Sequence, residues 1–288
     1  MTVLIISSKV DPASINIKKS LLEQSTWEEI DLFYNNRVYK NKKNNLTLIT
    51  INDRKITHNN IDKEFYKQVK IKPKHAIFIS RHTSKTEKPT LTVHPIGNYN
   101  DALFGGKEKE LVKSSPKIMT GLLRKLKKYH DKKKLYHDVC FEVTHHGPVI
   151  SIPSLFIEIG STKHEWTKLE TGDVIAKSIL ELFEEKNTLI KLNEYPVLIG
   201  LGGGHYAPRF TDVALERKVT FGHMIPSYHI NAGNIDEKII DKSIENTPEL
   251  YGLYIHRKAL KKSQVNYFKQ IFEDKGIKTY SSKDFEKI

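Results

Sequence analysis

A single cysteine, Cys140, stands among 288 residues, which excludes an internal disulfide and any multi-cysteine zinc finger. Long apolar runs are also missing. The longest, such as Val3 to Ile6 and Val197 to Leu201, are of strand length, far below the ~20 residues of a membrane span. Met1 to Lys9 reads as a first core strand, without the charged start and small-residue cleavage site of a signal peptide. Neither HExxH, GxGxxG nor GxxxxGK[ST] occurs, so the helical zinc-protease motif and the nucleotide-cofactor loops are absent. There is no long Gly/Ser/Pro linker and no internal repeat. The expectation is one domain over residues 1–288, monomeric, cytoplasmic and without a membrane partner.

What the chain does have is positive charge. Lys and Arg number 47 against 34 Asp and Glu, a formal net charge of +13. A field of that sign favours a polyanion, with nucleic acid the first candidate. Uniform coding bias toward Lys is the competing explanation, and distribution separates the two. Residues 107–138 hold eleven Lys or Arg and four acids, so a net +7 sits in about a ninth of the chain. Within that basic stretch, 107–137, Pro116 follows Ser115 at a helix start, and Ile118, Met119, Leu122, Leu123, Leu126 and Tyr129 recur at helical spacing. Lys125 and Lys128 fall outside the apolar stripe and become candidate phosphate contacts.

Alternating apolar runs and helical patterns predict an α/β fold with a mixed, mostly parallel central sheet flanked by helices. The runs are Val3–Ser7, Leu46–Ile51, Ala76–Ser80, Thr90–His94, Val139–Thr144, Leu155–Ile159, Val197–Leu201, Val219–Met224 and Gly252–His256. Further helices are expected over Asp173–Lys186, about Asp236–Glu245 and Ser263–Lys275, the last capped by Gly276. Asn35–Asn45 reads as an exposed hairpin or loop.

Ligands in open α/β sheets sit beyond the carboxyl ends of strands, and here those ends are polar. "AIFISRH" delivers Arg81 and His82, "VCFEVTHH" delivers His145 and His146, "LFIEIGST" delivers Ser161 and Thr162. "VLIGLGGGHYAPRF" delivers Gly202–Gly204, His205 and Arg209. Pro148 breaks the strand after His146, which lets two adjacent imidazoles converge. Glu142 and Glu158 lie inside apolar strands, where an unpaired carboxylate is costly; an ion pair with Arg81 or Arg209 and a catalytic or metal-binding role are both open. His82, His94, His145, His146 and His205, with Glu142, Glu158 and Asp212, make an inventory of zinc-type ligands. From it His82, His146, His205 and Glu158 are taken as metal ligands, and Glu142, His145, His146 and His205 as the acid–base group. Arg81, Arg209 and the N–H groups of Gly203 and Gly204 are assigned to substrate. His223 and His229 read as pocket residues; His58, His130, His137 and His164 read as surface.

Together "SRH" at 80–82, "HPIGN" at 94–98, "VTHHGP" at 143–148, "EIGST" at 158–162 with Trp166 after it, and "GGGHYAPRFTD" at 202–212 resemble the archaeal and plant type of D-aminoacyl-tRNA deacylase, the GEK family. The likeness covers nearly the whole chain in the same order. It implies a zinc-dependent hydrolase with a phosphorylase/hydrolase-like α/β fold that frees D-amino acids from tRNA, a proofreading step in translation. Individual zinc ligands are not carried over from it. Two other readings use parts of the same sequence. A zinc-dependent peptidase or amidohydrolase would leave the basic helix without a role. A non-catalytic RNA-binding protein would not require buried glutamates beside clustered histidines.

Overall fold

The computed structural model describes residues 2–288. From the N-terminus come β1 (Val3–Ser8), α1 (Pro12–Gln24), β2 (Trp27–Phe33), β3 (Asn36–Asn41), β4 (Leu46–Ile51), α2 (Ile61–Val69), β5 (His75–Arg81) and β6 (Thr90–His94). The middle holds α3 (Pro116–Lys133), β7 (Asp138–Phe141), β8 (Ser154–Gly160), α4 (Lys163–Thr167), α5 (Leu169–Glu184) and α6 (Lys186–Asn193). The remainder is β9 (Val197–Leu201), α7 (Pro208–Glu216), β10 (Thr220–Ile225), α8 (Ser227–Asn231), α9 (Glu237–Glu245), β11 (Leu250–Ile255), α10 (Lys262–Asp274) and β12 (Thr279–Tyr280).

The central sheet runs β2-β3-β4-β1-β5-β8-β6-β7. Its β4–β1–β5–β8 stretch is parallel, as the uninterrupted burial of those strands requires. Leu4, Ile6, Phe78 and Phe156 pack on one face with Ile61 and Phe65 of α2. Val3, Ile5, Ile77, Leu155 and Ile157 pack on the other against α1, α3 and α5. A second, parallel sheet runs β10-β9-β11-β12. It is joined to the first where Val143 donates to the carbonyl of His205 at 2.9 Å and Thr144 to that of Met224 at 3.0 Å. Phe141, Phe210 and Phe221 belong to one core that spans both sheets. No helix among the described residues is long and apolar enough to cross a membrane.

The predicted α/β class, with its mixed and mostly parallel sheet, stands, and three details differ. β6 pairs antiparallel with β8 and parallel with β7, so β6 and β7 run opposite to β5 and β8. The polar strand ends therefore do not share one edge. β7 ends at Phe141, because Val143 and Thr144 turn their N–H groups to the second sheet. Residues 36–41 form one arm of a hairpin, an alternative expected for 35–45, paired with the unpredicted β2 in a ribbon that extends the sheet edge. Ser115 offers no side-chain cap to α3; its hydroxyl bonds Nδ1 of His75 at 2.9 Å. Gly276 closes α10 at φ 78°, as expected of a left-handed cap.

Candidate active site

The antiparallel β6 is what builds the site. Its register sets Thr92 beside Glu158 and His94 beside Phe156, and side chains two apart share a face. Glu142 continues the ladder by donating its N–H to Val93 at 3.1 Å. Glu158, His94 and Glu142 thus meet on the face opposite the α1–α3–α5 core. They meet over the face of the last three strands, β8, β6 and β7.

Histidines arrive from three further segments. His82 leaves the end of β5 with Nδ1 3.3 Å from Glu142 and 3.6 Å from Glu158. Its backbone is held on both sides. Trp166 donates Nε1–H to the His82 carbonyl at 3.0 Å, and Asp11 accepts the neighbouring Arg81 N–H at 3.1 Å while pairing with the buried Lys55 at 2.7 Å. Gly160 makes the approach possible, since a Cβ there would lie 2.9 Å from the His82 ring. His145 and His205 bring Nε2 to 3.4 and 3.2 Å from Glu142. His94 brings Nε2 to 3.7 Å from Glu158. His146 closes the group, its ring centre 4.4 Å from His145 and 4.9 Å from His94.

Tautomers follow from the outer partners. Nδ1 of His145 lies 2.8 Å from the Val143 carbonyl, that of His146 2.8 Å from Gly147, and that of His94 3.0 Å from Pro95. A carbonyl only accepts, so each of these nitrogens carries the hydrogen and leaves Nε2 to face the cluster. His82 is oriented the other way, with Nε2 at 3.2 Å from the Tyr206 hydroxyl. This is the outer-shell arrangement that aims imidazoles at a metal.

Charge and burial conflict here. Burial favours the neutral acid in Glu142, yet His82, His205 and His94 hold its pKa below the usual range. Burial acts likewise on Glu158, and His82 and His94 hold it lower still. Burial also opposes the His82 charge, but Glu142 and Glu158 push its pKa up to about 10. His94 rises for the same reason against complete burial. Burial and the positive neighbours, His94 first, keep His145 well below its ordinary value, and His146 at about 4.

All four carboxylate oxygens of Glu142 and Glu158, and Nε2 of His94, are buried without a hydrogen-bond partner. Such groups are otherwise satisfied in folded proteins, and a cation would satisfy them together. Three groupings have the ligand spacing: His82, Glu142, His145 and His205; His94, Glu142 and Glu158; His94, His145 and His146. The residues fit zinc.

Of the residues singled out by sequence, the structure gathers His82, Glu142, His145, His146, Glu158 and His205. The residues assigned to substrate lie elsewhere, save Gly204 beside His205. Arg81 stacks on Trp166 at 5.1 Å, and Arg209 donates to Tyr254 at 2.8 Å and Ser282 at 3.1 Å. Neither pairs with a buried glutamate. The Gly203 N–H is already donated to Ser227 Oγ at 2.8 Å, which leaves Gly204, exposed beside His205. Lys125 is buried between Glu181 and Glu185 at 2.5 and 2.6 Å, and Lys128 reaches the same Glu181 at 2.5 Å; these tie α3 to α5 rather than facing a ligand. His94, only one name in the ligand inventory, turns out to be central. Thr92–Val93–His94 placed it on the face of Thr92, but only the partner strand shows that the face is that of Glu158. His223 is a core residue behind the site, bonded to Thr144 Oγ1 at 3.0 Å. His137, taken as surface, is buried against Glu165 at 2.7 Å.

Residues 69–280 match the family model described as D-aminoacyl-tRNA deacylase. The D-aminoacyl-tRNA deacylase of Pyrococcus furiosus is 36% identical over 277 residues, covering 95% of this chain and 97% of its own. That of Thermococcus onnurineus is 37% identical with the same coverage. The crystal structure of a conserved protein of unknown function is 32% identical, with a TM-score of 0.89 over 100% of this chain and 99% of that one.

Proposed function

Because the chain belongs to the D-aminoacyl-tRNA deacylase family, we propose that it hydrolyses the ester joining a D-amino acid to the terminal ribose of tRNA, with zinc at the histidine–glutamate cluster. The observation that carries the zinc assignment is the buried pair Glu142 and Glu158, whose oxygens have no hydrogen-bond partner. A binding protein that only held RNA would gain nothing from two desolvated carboxylates.

His82, Glu142, His145 and His205 would hold the metal, with His94 and Glu158 completing an adjoining set that shares Glu142. Zinc bound there would supply a water of pKa about 7 and polarise the ester carbonyl. His146 has the features of the proton carrier. It is neutral at working pH, with a pKa of about 4, and its Nδ1–H is committed to Gly147, which leaves the Nε2 lone pair free. Nε2 takes the proton of the attacking water as the oxygen bonds the carbonyl carbon. As the ester C–O bond breaks, the ribose oxygen takes a proton from solvent in the open His205 end, and His146 gives its own back to solvent. The Gly204 N–H, exposed beside His205, would stabilise the oxyanion.

The test is deacylation of matched D- and L-aminoacyl-tRNA by the zinc-loaded and chelated protein. Release of the D-amino acid alone, lost on chelation and restored by zinc, is expected. Activity undiminished in metal-free protein would remove zinc, and no release of either would remove the deacylase function.

A further inference from the structure

His205 is the most exposed of the side chains around Glu142. Side-chain exposure is 0% for Glu142, 7% for His82, 21% for His145 and 34% for His205. On the His146 side, Gly147 is pressed against the Gly105–Gly106 backbone with no room for a side chain. On the His205 side a cleft of about 540 Å³ runs from Gly204 and Tyr206 between the start of β6, α3 and the N-terminus of α7. That is the size of a small-ligand pocket.

The chemistry of its walls is specific. Tyr206 presents an aromatic ring, pinned to the site through its hydroxyl on His82 and with Lys88 Nζ 5.9 Å from its centre. Lys88 and Lys127 carry the positive charge, each in a pair with an exposed acid, Asp138 and Asp131. Such pairs exchange partners at little cost. Asp212 lines the wall as an acceptor. His137, 3% exposed, lines it too, and its Nδ1 has no partner. Its Nε2 lies 2.7 Å from the Glu165 carboxylate without hydrogen-bond geometry, so neither ring nitrogen has a hydrogen-bond partner. Aromatic ring, flanking cations and an unpartnered buried imidazole form the combination that holds a nucleobase with its phosphate.

Resting on the deacylase function above, we propose that this cleft receives the 3′-terminal nucleoside of tRNA. Its base would stack on Tyr206, its polar edge meet the unpartnered His137 ring and the Asp212 carboxylate, and the phosphate lie by Lys88 and Lys127. An ester carbonyl held at the cluster leaves the terminal ribose only a bond away, and the cleft is the space that adjoins it. The basic stretch of α3 then serves tRNA through Lys127, on its other flank from Lys125 and Lys128.

Calorimetric titration of the zinc-loaded protein with the trinucleotide 5′-CCA-3′, in which tRNA ends, tests this. CCA should bind about tenfold more tightly than the same trinucleotide with an abasic last ribose, the scale of one stacked base. Lys88→Ala with Lys127→Ala should weaken CCA by about tenfold and lower its salt slope by roughly 0.7, that of one phosphate contact. Lys42→Ala with Lys43→Ala, an equal charge change at the exposed turn before β4, should leave it unaltered. No CCA binding, equal affinity for the abasic probe, or equal weakening by both lysine pairs would overturn the proposal. Protein that binds CCA in this way yet frees no amino acid would overturn the deacylase function and leave the cleft assignment standing.

Discussion

Among the clustered side chains, Glu142 and His146 share His145 as a neighbour yet are assigned opposite duties in the proposed chemistry. Glu142 has no hydrogen-bond partner and stands at the crossing of His82, His145 and His205. Glu142→Gln removes a ligand charge, so it should lose zinc, measured by metal analysis, together with at least ~100-fold in kcat. His146→Ala should cost a similar ~100-fold in kcat but retain zinc. Loss of zinc from that variant would make His146 a ligand and pass the proton to another group. The sequence already exposed most of these residues, since charged or imidazole side chains inside apolar strands demand partners. It could not expose which partners. His94 and Glu158 are 64 positions apart in the chain and meet only through antiparallel register. Arg81 and Arg209 seemed equally suited to a buried carboxylate, but each is diverted by an aromatic ring nearby.

Helix α3 illustrates how an element legible in outline can be misread on its surface. Its apolar stripe predicted the docked face, and Ile118, Met119, Leu122, Leu123 and Leu126 are buried. Its lysines looked alike because the acids that claim two of them lie on α5. Lys125 holds the carboxylate of Glu185 down to about 2, helped by Thr188. A depressed carboxylate stabilises above its unfolded pKa, here 4.5, and loses that contribution as pH falls toward 2. Lys125→Met should therefore flatten the stability profile between pH 4.5 and 2, and cost about 2 kcal/mol at pH 7 by denaturant titration, as Glu181 loses its buried partner. An unchanged midpoint would return Lys125 to the free surface and to the phosphate role its position suggested. Other elements escaped notice for local reasons. β2 reads WEEIDLF, with exposed acids where alternation would place core residues. α1 buries Ser14, Asn16 and Ser20 along with Ile17 and Leu21, so its inward stripe is half polar.

Across the whole molecule the cluster is a stitch between the two sheets. Glu158, His94, Glu142 and His82 come from the central sheet or its continuations, and His205 from the loop leaving β9. Any ligand bound by all of them binds only the folded chain and stabilises it by mass action. Zinc at 1,000 times its dissociation constant adds about 4 kcal/mol, which for a chain of this size raises Tm by on the order of 10 °C. The pH dependence separates that effect from nonspecific binding. In metal-free protein His82 has a pKa near 10, raised above its unfolded value of about 6.5. Stability from a raised group is fully present below the unfolded pKa and is lost as pH rises through the folded one. Metal-free protein should therefore lose Tm steadily from pH 6.5 to 10. Zinc-loaded protein should not, because the metal has displaced that proton and supplies the positive charge itself. Thermal melts of both forms across that range decide the matter. Parallel profiles would mean that zinc binds elsewhere and that the histidine–glutamate cluster is a protonated structural network.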